Sequence, residues 1–271
     1  MSESGLTTGC CVTTNDEDQF WCVSSKDVQR IDPESGSSIA SFITGGLPSD
    51  ITVSAGGTAY VADMEHRAIL RIGNDGVETM VKDYEGAALL GPSSIVSSGN
   101  MIYFTDSGPL GESTIERPKG SVYCIERDAN HGQLLKILAS KCLAHPCGIC
   151  VDGLHIYVAE MLANRILRFT RRPNGAHLMS VLHHFSGRLG PSAIACDTDT
   201  GLLYVARFEF DSSTPGLVSV IDPSGANGGH VRDIEIPELD GCEITGLTLH
   251  HETKTLYIFE ASRGKVVKLE L

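Results

Sequence analysis

The sequence predicts an all-β chain folded as a six-bladed β-propeller, with four-stranded antiparallel blades around a central channel. Three observations carry this expectation. An aromatic block recurs, as Trp21-Cys-Val-Ser24, Tyr60-Val-Ala-Asp63, Tyr103-Phe-Thr-Asp106, Tyr157-Val-Ala-Glu160, Tyr204-Val-Ala-Arg207 and Tyr257-Ile-Phe-Glu260. Successive aromatic positions lie 39, 43, 54, 47 and 53 residues apart, the length of one propeller blade. Around each block, runs of β-branched and aromatic residues alternate with Gly, Asn, Asp and Pro, and no stretch sustains a helical period.

Each strand follows from its phase to the block. Pro48, Pro92, Pro146 and Pro191 lie 11–13 residues upstream and open the first strand of a blade. Proline suits that place because its missing N–H matters least at a strand's first residue. The aromatic block is the second strand. A third run follows in Ile69-Leu-Arg71, Ile166-Leu-Arg168 and Val266-Val-Lys268. A fourth follows in Val77-Glu-Thr-Met-Val81 and Gln133-Leu-Leu-Lys-Ile-Leu138. The blades then cover roughly residues 9–44, 48–84, 90–140, 144–186, 190–237 and 243–271 of one domain spanning 1–271. The last unit supplies only three strands, so residues 1–8 are expected to close the ring.

The chain has 271 residues, 41% hydrophobic and 20% charged, enough apolar material for a sizeable core. Lys+Arg 21 against Asp+Glu 34 gives a formal net charge of -13. Such a surface repels phosphate backbones and anionic bilayers, so neither a nucleic acid nor a membrane is expected as a partner. No apolar run approaches the roughly 20 residues of a membrane helix. Met1-Ser2-Glu3-Ser4-Gly5 lacks the basic and apolar parts of a signal peptide, and the 9 cysteines are an odd count. Both point to a cytoplasmic protein with reduced thiols. Cys147 and Cys150 have zinc-knuckle spacing, yet no second pair follows, so the cysteines read as small core residues.

Gly91-Pro-Ser-Ser-Ile95, Met101-Ile-Tyr-Phe-Thr-Asp106, His145-Pro-Cys-Gly-Ile149, and Ile156-Tyr-Val-Ala-Glu160 followed by Arg165-Ile-Leu-Arg168 carry a family likeness. Together they resemble the strictosidine-synthase-like and NHL-type propellers, whose wider relatives are the gluconolactonases, regucalcin and the paraoxonases. The likeness spans most of residues 48–271. It implies a channel calcium ion held at the starts of inner strands, as in the gluconolactonase-like relatives. At the positions matching those ligands stand Ser93 and Ser94, Cys147 and Ser192, with Thr8 or Gly9 in the first blade. A thiol and hydroxyls hold calcium poorly, because that ion takes six to eight hard oxygens. No cofactor is therefore expected, and any calcium binding should be weak. The synthase glutamate would fall near Thr245, with Glu243 two residues earlier. That mismatch argues against the synthase reaction.

In a propeller, the starts of the inner strands converge at one channel mouth. Asp50, Ser93, Ser94, Cys147, Ser192, Glu243 and Thr245 thus form one candidate constellation, with His145 beside it. It reads either as a ligand pocket with a polar floor or as a set that satisfies strand backbone groups and channel water. A Cys147 thiolate activated by His145 is the one nucleophile–base pair on offer. Asp63, Asp106, Glu160 and Glu260 close the aromatic blocks and read as turn caps or partners of Arg71, Arg168 and Lys268, with Arg207 breaking the pattern. His183-His184 and His250-His251 are adjacent pairs that face opposite ways in a strand. The segments 104–121 and 211–216 are the long loops, suited to recognition.

Two functions follow. One is a small-molecule hydrolase, gluconolactonase-like, with its site at the channel mouth. The other is a non-catalytic NHL-type scaffold for a protein partner. Fold alone does not choose between them.

Overall fold

The computed structural model describes residues 13–14, 20–23, 26–32, 37–73, 75–128, 132–187, 190–208, 215–225, 229–260 and 264–271. Among them the one helical element is a single 3-10 turn at Pro237–Leu239; no helix is long and apolar enough to cross a membrane. The other regular elements among them are strands, in six antiparallel blade sheets and one two-stranded hairpin. The inner strands are Thr13–Thr14, Pro48–Val53, Pro92–Ser98, Pro146–Asp152, Gly190–Cys196 and Ile244–His250. The second strands are Phe20–Val23, Ala59–Asp63, Met101–Asp106, His155–Glu160, Leu203–Phe208 and Thr255–Glu260. Third strands follow at Asp27–Ile31, Ala68–Gly73, Gly120–Asp128, Arg165–Arg171, Gly216–Asp222 and Lys265–Glu270. Outer strands complete five blades at Ser38–Ile43, Gly76–Val81, Gly132–Leu143, His177–His184 and Gly229–Ile236.

The aromatic positions are equivalent, as the repeat phase requires. Tyr60, Tyr103, Tyr157, Tyr204 and Tyr257 each sit mid-way along a second strand, opposite Thr52, Val96, Cys150, Ala195 and Thr248 of their own inner strand. A second strand has a neighbouring blade on either face, so Met101–Asp106 is buried at every residue. Alternation returns in the outer strands, which face water on one side, as in Ser38–Ile43.

Among the described residues the core divides into six clusters, one in each gap between neighbouring blades. Ile51, Val61 and Leu70 fill the gap between blades one and two with Trp21 and Val23. Tyr103, Cys124, Val158 and Phe169 fill that between three and four. The closing gap, between blades six and one, holds Cys22 and Phe259 with Phe20, Ile31 and Tyr257 packed on them. There Phe20 meets Tyr257 edge-on at 5.0 Å, a contact worth about 1 kcal/mol beyond its area.

Three details depart from expectation. The outer strand of blade three runs to Leu143, past the expected boundary, and bends at a register shift between Val122 and Tyr123 of its partner. A small hairpin, Asp83–Tyr84 with Ala87–Ala88, follows blade two. Two of the third-strand cations expected to partner the block carboxylates have other neighbours: Lys268 lies 5.5 Å from the Tyr257 ring centre, and Arg71 pairs with Glu78. Blade six has three described strands; the proposed closure by residues 1–8 and most of the loop 211–216 lie outside the described residues.

Candidate functional site at the channel mouth

The inner strands of blades two to six enclose a cavity of about 320 Å³. It brings together Asp50, Ser93, Ser94, Cys147, Ser192 and Thr245. His145 and Glu243 immediately precede their inner strands and stand just beyond that lining.

A bulge at the start of each strand decides what these residues do. Register slips between Pro48 and Asp50, Pro92 and Ser94, Pro146 and Ile149, Pro191 and Ala193, and Ile244 and Gly246. Each slip leaves an extra residue whose side chain is re-aimed: Ser49, Ser93, the Cys147–Gly148 pair, Ser192 and Thr245. Four of those side chains turn toward the second strand of their own blade, donating to Ala62 O (Ser49, 3.1 Å), Ala159 O (Cys147, 3.4 Å), Ala206 O (Ser192, 3.5 Å) and Phe259 O (Thr245, 3.5 Å). Three also reach the next blade, from Ser49 to Pro92 O (2.8 Å), Cys147 to Pro191 O (3.2 Å) and Ser192 to Ile244 O (2.7 Å). Blade three makes the equivalent link through Thr105, whose hydroxyl donates to Cys147 O at 2.6 Å. Asp50 is engaged as well: Ser94 Oγ donates to it at 2.5 Å, and the backbone of Ile51 and Ile95 at 2.7 and 2.8 Å. The polar floor is a ring of stitches between blades.

This chemistry does not fit calcium. The donor set at the positions that the resemblance matches to calcium ligands is hydroxyl and thiol, and Ser94, Cys147 and Ser192 point their protons at protein oxygens. Asp50, the carboxylate nearest to hand, already accepts three hydrogen bonds. A calcium ion would have to break the blade stitches to recruit these groups. Addition of about 5 mM calcium should therefore raise the melting temperature by less than about 2 °C. A distinctly larger rise would show that other carboxylates assemble a site.

The surroundings of Cys147 and His145 disfavour a thiol–imidazole pair. Burial pushes the Cys147 thiol up to about 12, and its proton is committed to Pro191 O. His145 is buried and held at φ 56°, with its carbonyl accepting from Met161 N at 3.1 Å. Burial lowers the ring to about 4, so it is neutral near pH 7, and its Nδ1 meets no hydrogen-bond partner among the described residues.

The block carboxylates hold the loops that lead into the inner strands. Asp63 accepts from Leu47 N, Asp106 from Leu90 N and Gly91 N, and Glu160 from Ala144 N, at 2.7–3.1 Å. Each lies 16 residues beyond the first amide it binds, a phase visible in the sequence once the role is known. Glu160 also accepts from Arg165 Nε at 2.6 Å. Arg207 replaces the pattern by stacking on Phe185 at 4.6 Å and donating to Ser186 O.

Glu243 remains. It precedes Ile244 at the last inner strand and is half-buried. Burial raises its pKa, and the neighbouring Glu260 carboxylate raises it further. Its charge is felt at Cys147, across the mouth. At the other end of the channel, His251 lines the cavity, a placement that adjacency to His250 does not reveal. It stands 3.9 Å from Asp197, whose carboxylate, with that of Asp199, is bridged by the Lys254 ammonium at 2.8 and 2.6 Å. The 107–119 loop folds on itself through Ser113, which donates to Leu143 O and accepts from Lys119 N and Gly120 N.

A solved gluconolactonase from Xanthomonas campestris superposes with a TM-score of 0.73 at 18% identity, over 97% of this chain and 85% of that one. In fold, the chain is similar to the gluconolactonase-like propellers. A putative gluconolactonase gives a TM-score of 0.73 at 15% identity, over 100% of this chain and 92% of that one. A luciferin-regenerating enzyme gives 0.71 at 16%, over 94% and 84%. No family profile matches the sequence. No curated protein matches it either. At these identities the likeness concerns the propeller itself.

Proposed function

We propose that this protein is a small-molecule hydrolase of the lactonase kind, acting at the channel mouth with Glu243 as general base. The observation that carries the proposal is the state of that side chain. A half-buried carboxylate whose pKa is raised by burial and by Glu260 is a stronger proton acceptor than an ordinary one. In the reaction, Glu243 takes the proton of a water as that water attacks the ester carbonyl. The tetrahedral intermediate then collapses with cleavage of the acyl C–O bond, the departing ring oxygen takes the proton back from Glu243, and the ring opens to a hydroxy acid. A cavity of about 320 Å³ suits a ligand of sugar-lactone size, and the solved lactonases that share the fold support the substrate class.

The test is hydrolysis of small aldonolactones and δ-lactones, followed by acid release in the presence of a chelator. Turnover should exceed the spontaneous rate and rise with pH through a limb above the ordinary carboxylate value of 4.5. Glu243→Gln should lower kcat/KM at least about 100-fold with no fall in the melting temperature. Rates equal to spontaneous opening across the panel would overturn the proposal. They would favour the scaffold reading, for which the outer strand of blade four offers exposed Leu178, Met179 and Val181.

A further inference from the structure

Two thiols meet in the wall of the channel, away from the mouth. Cys150 lies on the inner strand of blade four, and Cys196 ends that of blade five. The two strands pack side by side without a ladder between them. Cys196 reaches across the gap: its thiol donates to Val151 O at 3.1 Å. Val151 is the residue next to Cys150, and Cys196 packs against the cluster that holds Cys150 between blades four and five. Both side chains line the cavity, Cys150 buried and Cys196 partly exposed. No disulfide joins the described cysteines.

We propose that Cys150 and Cys196 are an oxidisable dithiol that a peroxide entering the channel converts to a disulfide between blades four and five. Exposure assigns the order of events. Cys196, the more accessible sulfur, loses its proton and attacks one peroxide oxygen. The O–O bond breaks, a water leaves, and a sulfenic acid forms on Cys196. The Cys150 sulfur then attacks the Cys196 sulfur, forming S–S as S–O breaks, and the departing hydroxide takes the Cys150 proton as a second water. Two thiols are oxidised and one hydrogen peroxide is reduced to two waters. Burial and the neighbouring sulfur keep the Cys150 thiol well above its ordinary value, which fits it to resolve the sulfenic acid rather than to react first. The product would join the two inner strands covalently and stiffen one side of the channel.

The experiment is peroxide treatment of the full-length protein, alkylation, and mapping of tryptic peptides without reduction. Expected is a thiol-reversible link between the peptide that starts at Cys142 and ends at Arg165 and the one that ends at Arg207, with fragmentation placing it at Cys150 and Cys196. Exposed Cys142 reports that the peroxide dose is effective. In Cys150→Ala, dimedone should capture the sulfenic acid on Cys196; in Cys196→Ala, Cys150 should stay reduced. The proposal is overturned if both thiols alkylate normally at a dose that oxidises Cys142. A link that maps to Cys142 or Cys147 overturns it equally. Should either variant fail to fold, the wild-type map decides alone.

Discussion

Replacing Gly148 with alanine is expected to lower the melting temperature by roughly 6–12 °C, the equivalent of about 3 kcal/mol for a chain near this size. Gly148 is part of the bulge that opens the inner strand of blade four. A Cβ there would stand 2.8 Å from Ile194 N, 2.9 Å from Ala193 Cα and 3.0 Å from Ala193 C. Those are backbone atoms of the neighbouring blade, so no side chain can swing aside to make room. The inner strands must separate, and the stitches flanking this point, from Cys147 to Pro191 O and from Thr105 to Cys147 O, lengthen with them. Gly56→Ala is the control, because nothing lies within 4 Å of its added carbon. Thermal melts of the two variants that agree to within about 2 °C would refute the close-approach argument.

Acid should destabilise the protein through His145. Its ring is neutral in the fold down to about 4, against an ordinary value of 6.5. Between those limits the unfolded chain binds a proton that the folded chain refuses, so stability falls as pH falls through this window. The full difference amounts to about 3 kcal/mol, reached near pH 4. The raised carboxylates Glu243 and Asp106 act in the opposite sense, since their protonated forms are favoured in the fold and stabilise it toward acid. His145→Asn isolates the histidine contribution, and asparagine tolerates the left-handed backbone at φ 56°. Urea unfolding at several pH values between about 4 and 7 should show a flatter profile in the variant by about that 3 kcal/mol. Parallel profiles would mean that the ring is solvated in the folded protein.

Much of the molecule was legible from the chain alone, and the reason is periodicity. A blade cannot bury its faces without neighbours, so the same strand pattern must return at each blade, and the phase of Tyr60, Tyr103, Tyr157, Tyr204 and Tyr257 exposes it. The prolines at the same phase mark the channel mouth for the same reason. Roles were less legible than positions. Ser192 and Cys147 reach the channel mouth as expected, yet what occupies their polar atoms is a carbonyl of the next blade, more than 40 residues away in each case. No local pattern encodes that distance.

The amino-acid sequence by itself determined the all-β class, the number of blades, the equivalence of the aromatic positions and the convergence of Asp50, Ser93, Ser94, Cys147, Ser192 and Thr245. These follow from repeat length and strand alternation, which are properties of a linear pattern. Only the tertiary structure decided which of those groups are consumed in holding blades together, and which stay reactive. That choice rests on the bulge opening the inner strands, which turns Ser49, Cys147 and Ser192 toward neighbouring carbonyls. It rests equally on burial, which holds His145 neutral, keeps the Cys147 thiol protonated and raises Glu243. Hydrogen-bond partners and desolvation depend on what lies across a gap between blades, and that is a property of the closed ring rather than of any segment within it.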